Sequence, residues 1–238
     1  MKTLYHPAAE RGHANFGWLD SHHSFSFGQW HKAEKMHFGA LRVLNDDMVK
    51  GGAGFGTHPH DNMEIVSIPL SGTLAHKDST GRSEIINTGD VQIMSAGSGI
   101  SHSEFNASKT APVNFLQVWL FPKQKDITPR YEQKTFDTAG RHNQWQTVVS
   151  PDEQDNAVWI NQDAKFSLAQ IDAGTQLDYK NAFAGTGIYF FVLEGKVNIA
   201  GKELNKRDAL GVSEANEVVL KATDKSFILA IEVPMSLN

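Results

Sequence analysis

The chain contains no cysteine. That excludes disulfides, thiolate nucleophiles, zinc fingers and cysteine-held iron–sulfur clusters. Any metal must be held by imidazole nitrogen and carboxylate oxygen. Long apolar runs are also missing. No stretch reaches the roughly 18 residues expected of a membrane-spanning helix, and the longest apolar segments, such as Ile188 to Leu193, have strand length. No apolar core follows the Lys near the start, as a secretory signal would require, so a cytoplasmic location is expected. A sustained 3.6-residue apolar period, the mark of amphipathic helices, is absent too. Excess positive charge is lacking: 22 Lys and Arg stand against 27 Asp and Glu, a formal net charge of -5. Such a balance is not built to coat phosphate backbones, so neither nucleic acid nor a membrane is expected as a partner. Finally, histidine is missing from everything after His142, although the chain has 11.

What is present is a series of short β-branched or aromatic segments. Ile65 to Leu70, Val91 to Met94, Phe115 to Phe121, Phe166 to Ile171, Ile188 to Leu193, Val218 to Leu220 and Phe227 to Val233 are predicted strands. Turn signals separate them, among them Ser71-Gly72, Thr88-Gly89-Asp90, Glu194-Gly195 and Ala200-Gly201. Pro69 falls inside a strand pattern, which calls for an edge or a bulge there. A weak repeat matches Leu70-Ser-Gly72-Thr-Leu74 with Leu193-Glu-Gly195-Lys-Val197. The chain is therefore expected to be all-β, with two similar lobes of about 110–130 residues, a typical domain size. The polar stretch Pro122 to Glu132 is the expected connection, and the division falls at residues 1–134 and 135–238.

The densest chemical signal is Gly56-Thr-His58-Pro-His60-Asp-Asn-Met-Glu64, followed by Gly97-Ser-Gly-Ile-Ser-His102-Ser-Glu104-Phe-Asn106. On a strand, residues two apart share a face. His58 and His60 point the same way, with Glu64 in the same parity, and His102 and Glu104 form a second such pair. Two strands of one sheet could bring the pairs together as three imidazoles plus a carboxylate, with one or two coordination positions open. Outside this set, His22 and His23 are adjacent and face opposite ways on a strand. His6, His13, His31, His37, His76 and His142 lie outside ligand spacing. Trp18, Phe25 and Phe27 are expected to pack, and Phe55 to stand either at a pocket mouth or in the core.

Phe55-Gly-Thr-His58-Pro-His60-Asp-Asn-Met-Glu64 and Gly89-Asp90-Val-Gln-Ile-Met94-Ser-Ala-Gly97-Ser-Gly99-Ile-Ser-His102-Ser-Glu104 resemble the signature of the pirin family. So do Arg11-Gly-His13-Ala-Asn-Phe-Gly17-Trp18-Leu-Asp20-Ser-His22-His23-Ser-Phe25-Ser-Phe27 and Ile127-Thr-Pro129-Arg-Tyr131-Glu-Gln133. The resemblance is dense in the N-terminal half and looser beyond it, and is nearest to bacterial pirin-like quercetin 2,3-dioxygenases. It implies a bicupin, two cupin-type jelly-roll β-barrels packed together. It implies one metal ion held by His58, His60, His102 and Glu104, with Glu64 structural and Asn106 supporting a loop. Glu104 would also serve as the catalytic base.

Three imidazoles and a carboxylate accept Fe(II), Ni, Mn, Co, Cu or Zn; the charge of Glu104 favours a redox-capable ion such as Fe(II). The expected substrates are a flavonol-like molecule and O2, with ring opening and release of carbon monoxide. Some pirins instead act as metal-sensing partners of a transcription factor or metabolic enzyme, so a protein partner is the alternative. A monomer is expected. Aligning the two Leu-x-Gly turns places Asn181 and Phe183 opposite His58 and His60, so the second lobe is expected to hold no metal.

Overall fold

The computed structural model describes residues 1–237, and they form two β lobes with only short 3-10 turns between strands. Each lobe pairs a seven-stranded sheet with a four-stranded one. In the first lobe the large sheet runs, in spatial order, Arg130–Thr135, Asp90–Ser95, Glu64–Ser71, Val113–Leu120, Leu41–Val49, Leu19–His23 and Gly12–Asn15. Its small sheet runs Gly54–His60, Ile100–Asn106, Thr73–Asp78 and Ser83–Asn87. The second lobe repeats the plan. Its large sheet is Lys2–His6, Ala209–Ser213, Thr186–Glu194, Ser226–Pro234, Lys165–Ile171, Gln146–Ser150 and Val158–Trp159, and its small sheet begins with Gln176–Lys180 and Glu217–Ala222.

The expected strands are all present, and the repeat is visible in space. Gly72 links Glu64–Ser71 to Thr73–Asp78, and Gly195 links Thr186–Glu194 to Lys196–Ile199. Both have positive φ, 79° and 83°, a region that side chains with a Cβ resist. At Gly195 a Cβ would also stand 2.3 Å from the Lys225 carbonyl oxygen. Pro69 sits at an irregularity: Phe115 pairs with Pro69 while Asn114 pairs with Ser71, so Leu70 bulges out. On the other side, pairing with Asp90–Ser95 has already ended at Ser67. The ring thus occupies a central strand without removing a needed donor.

The large sheets are buried on both faces, and strand alternation separates two duties. Along Leu41–Val49, Leu44 joins the core shared with the second lobe, whereas Asn45 and Asp47 line a cavity inside the first. Along Val113–Leu120, Leu116 and Val118 face the shared core, and Gln117 and Trp119 face the cavity. From the other side Phe166, Tyr189, Phe191 and Leu229 complete the shared core. The interior of the second lobe is filled by Tyr179, Ile188, Phe190, Val212, Leu220 and their neighbours.

Polar ties cross the same junction. Asp46 receives Arg207 at 2.7 Å and Arg11 at 3.5 Å. Glu64, fully buried, accepts from Ser95 Oγ and from the Asn161 backbone N–H, and burial pushes its pKa up to about 7. The ends of the expected division also interleave. Arg130–Thr135, which ends the connecting stretch, completes the first sheet, and Lys2–His6 crosses to pair with Ala209–Ser213 of the second.

A core drawn from both lobes predicts one cooperative unfolding transition by calorimetry. Phe191→Ala, which empties a fully buried site in that core, should lower stability by about 3–5 kcal/mol and shift the whole transition without splitting it.

Candidate metal centre

The small sheet of the first lobe carries the His-x-His and His-x-Glu pairs on adjoining strands. Gly54–His60 pairs with Ile100–Asn106, and in that register His102 lies directly opposite His58 and Ile100 opposite His60. Cross-strand partners share a face, so the three rings converge. Their centroids are 4.5 Å (His58–His102), 4.8 Å (His58–His60) and 4.9 Å (His60–His102) apart. One nitrogen from each lies within 4.8 Å of the other two. The pairing is irregular between His102 and Glu104: Glu104 sits opposite Phe55, leaving Gly56 and Thr57 against Ser103 alone. At this bulge the Gly56 carbonyl accepts a hydrogen bond from His58 Nδ1 at 2.8 Å. That bond puts the proton on Nδ1 and leaves the His58 Nε2 lone pair free.

The nitrogens of this cluster want a partner. Both ring nitrogens of His102 and Nε2 of His60 are buried without a hydrogen bond among the described residues. A buried polar atom without a partner costs roughly 1–3 kcal/mol, so several in one spot signal a missing ligand. Burial, reinforced by the neighbouring imidazoles, lowers the pKa of His60 to about 4 and of His102 to about 3. Those two rings are therefore neutral near pH 7, as metal ligands must be. This donor set fits a borderline divalent transition ion.

Glu104 is placed at the same centre but turned toward a different neighbour. Its oxygens accept from Ser67 Oγ at 3.1 Å and from Gln117 Nε2 at 2.5 Å, and Gln117 Oε1 in turn accepts from Trp119 Nε1. It pairs across the sheet with His76, and its carboxylate groups with nitrogens of His76 and His102. Burial raises the Glu104 pKa, opposed mainly by the charge of His76 and by its two hydrogen bonds. His76, set outside ligand spacing in the sequence, has Asp78 two residues on, but that spacing alone does not place it beside Glu104. The register brings it in. It is buried, bonds Asp78 Oδ2 at 3.1 Å, and lies 5.4 Å from the His102 ring and 4.8 Å from that of Tyr131. Glu64 is not among these ligand groups; it is engaged at the lobe junction. Asn106 holds the carbonyls of Val49 and Ala111, a loop-bracing role.

Beside the cluster lies a cavity of about 440 Å³, bordered by His58 and Glu104. Its walls are largely apolar and aromatic: Phe16, Leu19, Phe27, Trp30, Phe55 and Trp119. Phe55 thus stands in the cavity wall, edge-on to Trp18 at 5.3 Å. Phe27 also lines the space, edge-on to Trp119, whereas Phe25 is core. Polar side chains interrupt the wall, among them a bonded group of three. Ser21 Oγ donates to Asp47 Oδ1, and His23 Nε2 is bonded to the same Ser21 oxygen at 2.8 Å. Burial pushes the Asp47 carboxyl up to about 7, moderated by the Ser21 bond.

The second lobe holds no comparable centre among the described residues, and all three candidate ligand groups lie between His13 and Glu104. Its buried carboxylate, Glu232, is saturated: Tyr179 OH, Thr186 Oγ1 and the backbone N–H groups of Ala182 and Phe183 all donate to it. Asn181, aligned with His58, bonds Thr186.

Comparison with known proteins supplies the lineage. A family profile described as Pirin matches residues 6–120, and one described as Quercetinase C-terminal cupin domain matches residues 147–233. A curated Escherichia coli K12 protein named quercetin 2,3-dioxygenase is 41% identical over 227 residues, covering 95% of this chain and 96% of that one. The chain belongs to the pirin family. Among solved structures, the bacterial pirin YhhW from Escherichia coli, in complex with nickel(II), superposes with a TM-score of 0.93 at 38% identity, covering 99% of this chain and 100% of that one. The fold is accordingly that of a two-cupin pirin, as the sequence resemblance implied. A more distant likeness, the oxalate decarboxylase of Lactobacillus farciminis (TM-score 0.69, 12% identity, covering 100% of this chain and 88% of that one), shares the architecture alone.

Asp47 gives this pirin-family chain a pH signature. Its folded pKa is raised, so the stability it contributes is full below its unfolded value near 3.8 and is lost as pH rises through about 7. In metal-free protein, Asp47→Asn removes that loss. The variant's melting temperature relative to wild type should therefore be higher at pH 8 than at pH 5. An equal difference at both pH values would show that Asp47 is already ionised in the fold.

Proposed function

We propose that this chain is a metal-dependent quercetin 2,3-dioxygenase, opening the central ring of a flavonol with O2 and releasing carbon monoxide. One divalent transition ion, Fe(II) by preference and otherwise Ni, Mn, Co, Cu or Zn, would be held by His58, His60, His102 and Glu104. The observation that carries this reading is the junction of two features: an aromatic-walled cavity bordered by His58 and Glu104 and, packed against His58, two imidazoles with unpartnered buried nitrogens. The names of the 41%-identical E. coli relative and of the nickel-bound pirin support it. When bound, the ion supplies Lewis-acid polarisation of the substrate oxygen and a contact for dioxygen.

The protein's own groups do the rest. A flavonol is flat, aromatic and edged with hydroxyls. Phe27, Phe55 and Trp119 offer it ring surfaces, and the apolar wall keeps water from the reacting bond. Glu104 accepts the proton of the 3-hydroxyl beside the 4-ketone. Its raised pKa makes it a better base than an exposed carboxylate, and Ser67 and Gln117 fix its two oxygens. Asp47, held by Ser21, is a second proton acceptor on the same wall. The second lobe, with its filled interior, backs the sheet that carries Gln117 and Asp47 and keeps those side chains in place.

The test is direct. Protein loaded separately with Fe(II), Ni(II), Mn(II), Co(II) or Cu(II) is given quercetin under air, and O2 consumption and carbon monoxide are measured. Equal amounts of the two gases are expected. His58→Ala or His102→Ala should remove most of the bound metal by elemental analysis, and turnover with it. Glu104→Gln should lower turnover by roughly 10²–10⁴-fold with a smaller loss of metal. No turnover with any ion, on folded and metal-loaded protein, overturns the catalytic reading in favour of a metal-sensing binding protein.

A further inference from the structure

A second cluster of ligand atoms lies on the outer edge of the first lobe, apart from the centre described above. Gly12–Asn15 and Leu19–His23 form a hairpin there, with His13 opposite His22 and Asn15 opposite Asp20. Residues two apart share a face, so His13, Asn15, Asp20 and His22 stand together on one side. Ser21 and His23 take the other side, into the cavity, whose rim also reaches His13 and Asn15 at the hairpin edge. The rings of His13 and His22 lie 4.5 Å apart and only 20° from parallel. Asp20 Oδ1 is 2.8 Å from His13 Nε2 and 3.6 Å from His22 Nδ1. All three ligand atoms lie within 4.8 Å of one another, the same closeness that brings His58, His60 and His102 together.

The cluster is braced from outside. Asn15 Nδ2 donates to Asp20 Oδ2 at 3.2 Å, and Asn15 Oδ1 accepts from the Gly17 N–H at 2.8 Å. The carboxylate is thereby turned with one oxygen toward the two imidazoles, which is how partners behind a metal ligand orient it. Bonds of about 2.0–2.2 Å around a tetrahedral ion set neighbouring donors about 3.3 Å apart, between the two distances seen here. The neighbouring Arg11 guanidinium is already engaged by Asp46 and by the His22 carbonyl. Burial, together with Arg11 and His13, keeps the His22 pKa below its usual value, leaving its lone pair available near neutrality.

We propose that His13, Asp20 and His22 form a second metal site, for a borderline divalent ion of the zinc, nickel or copper(II) type, with its remaining position open to solvent. Two imidazoles and one carboxylate do not suit magnesium or calcium, which take oxygen shells. The side chains are about half exposed, 51%, 43% and 45%, so this ion exchanges freely with solution. Because His13 and Asn15 also border the cavity, the ion clips the hairpin that walls the substrate space.

The experiment is zinc titration of the metal-stripped whole chain, followed by calorimetry and by elemental analysis after equilibrium dialysis against a fixed free zinc concentration. Wild type should take up two ions and His22→Ala one, with excess Mg(II) failing to compete. His22 is exposed enough for the variant to fold, which circular dichroism checks. In a His58→Ala/His102→Ala background, the remaining site should bind Co(II) with visible d–d absorption that His13→Ala abolishes. Zinc stoichiometry unchanged by His22→Ala, or Co(II) absorption unchanged by His13→Ala, overturns the proposal. Loss of turnover with both stoichiometries intact bears on the enclosed centre alone.

Discussion

Three imidazoles gathered at one point, two of them with buried nitrogens that meet no protein partner, are the constraint around which the first lobe is organised. Protonated, the rings would repel one another at centroid distances under 5 Å. Neutral, they leave buried nitrogens unsatisfied. A single cation removes both difficulties. The sheet register serves this arrangement: His102 faces His58 because two strands pair in one alignment, and a one-residue slip would turn His102 to the other face. The bulge beside Gly56 and the Ser67–Glu104–Gln117 bonds are local adjustments that hold the remaining groups around the same point.

The two lobes solve the burial of a carboxylate in opposite ways. Glu232 is surrounded by donors from its own chain and is finished chemically. Glu104 has two donors, a buried histidine across the strand and an adjoining cavity. The same fold thus yields a packed support in one lobe and a reactive hollow in the other. The difference lies in which inward positions carry large apolar side chains. Tyr179 and Phe190 fill the second lobe, whereas Asn45, Asp47 and Ser21 leave room in the first.

Much of this was legible beforehand, for identifiable reasons. The strands could be placed because β-branched runs are bounded by Gly turns with positive φ, and the two Leu-x-Gly turns do occupy matching corners. His58, His60 and His102 could be paired because period-two spacing survives folding unchanged. His76 could not, since its approach to Glu104 depends on a third strand whose register no local pattern encodes. The grouping of His13 with His22 was hidden likewise: Asp20 and His22 are two residues apart, but only the hairpin sets His13 opposite His22. Nor does any local signal announce that Lys2–His6 belongs to the second sheet, because strand partners 200 residues apart leave no mark on either segment.

That exchange of the first strand has a consequence for how the molecule comes into being. Residues Lys2–His6 leave the ribosome about 200 residues ahead of their partners Ala209–Ser213, and the Ala8 N–H reaches an Asp208 carboxylate 200 positions away. Contacts of such separation close slowly. The first lobe can collapse during synthesis, but Lys2–His6 must wait, unpaired, until Ala209–Ser213 are made. Until then the exposed backbone of one strand is an open invitation to a neighbouring nascent chain. Closure of the second large sheet is therefore a late event, in which one strand is sewn to another made about 200 residues after it.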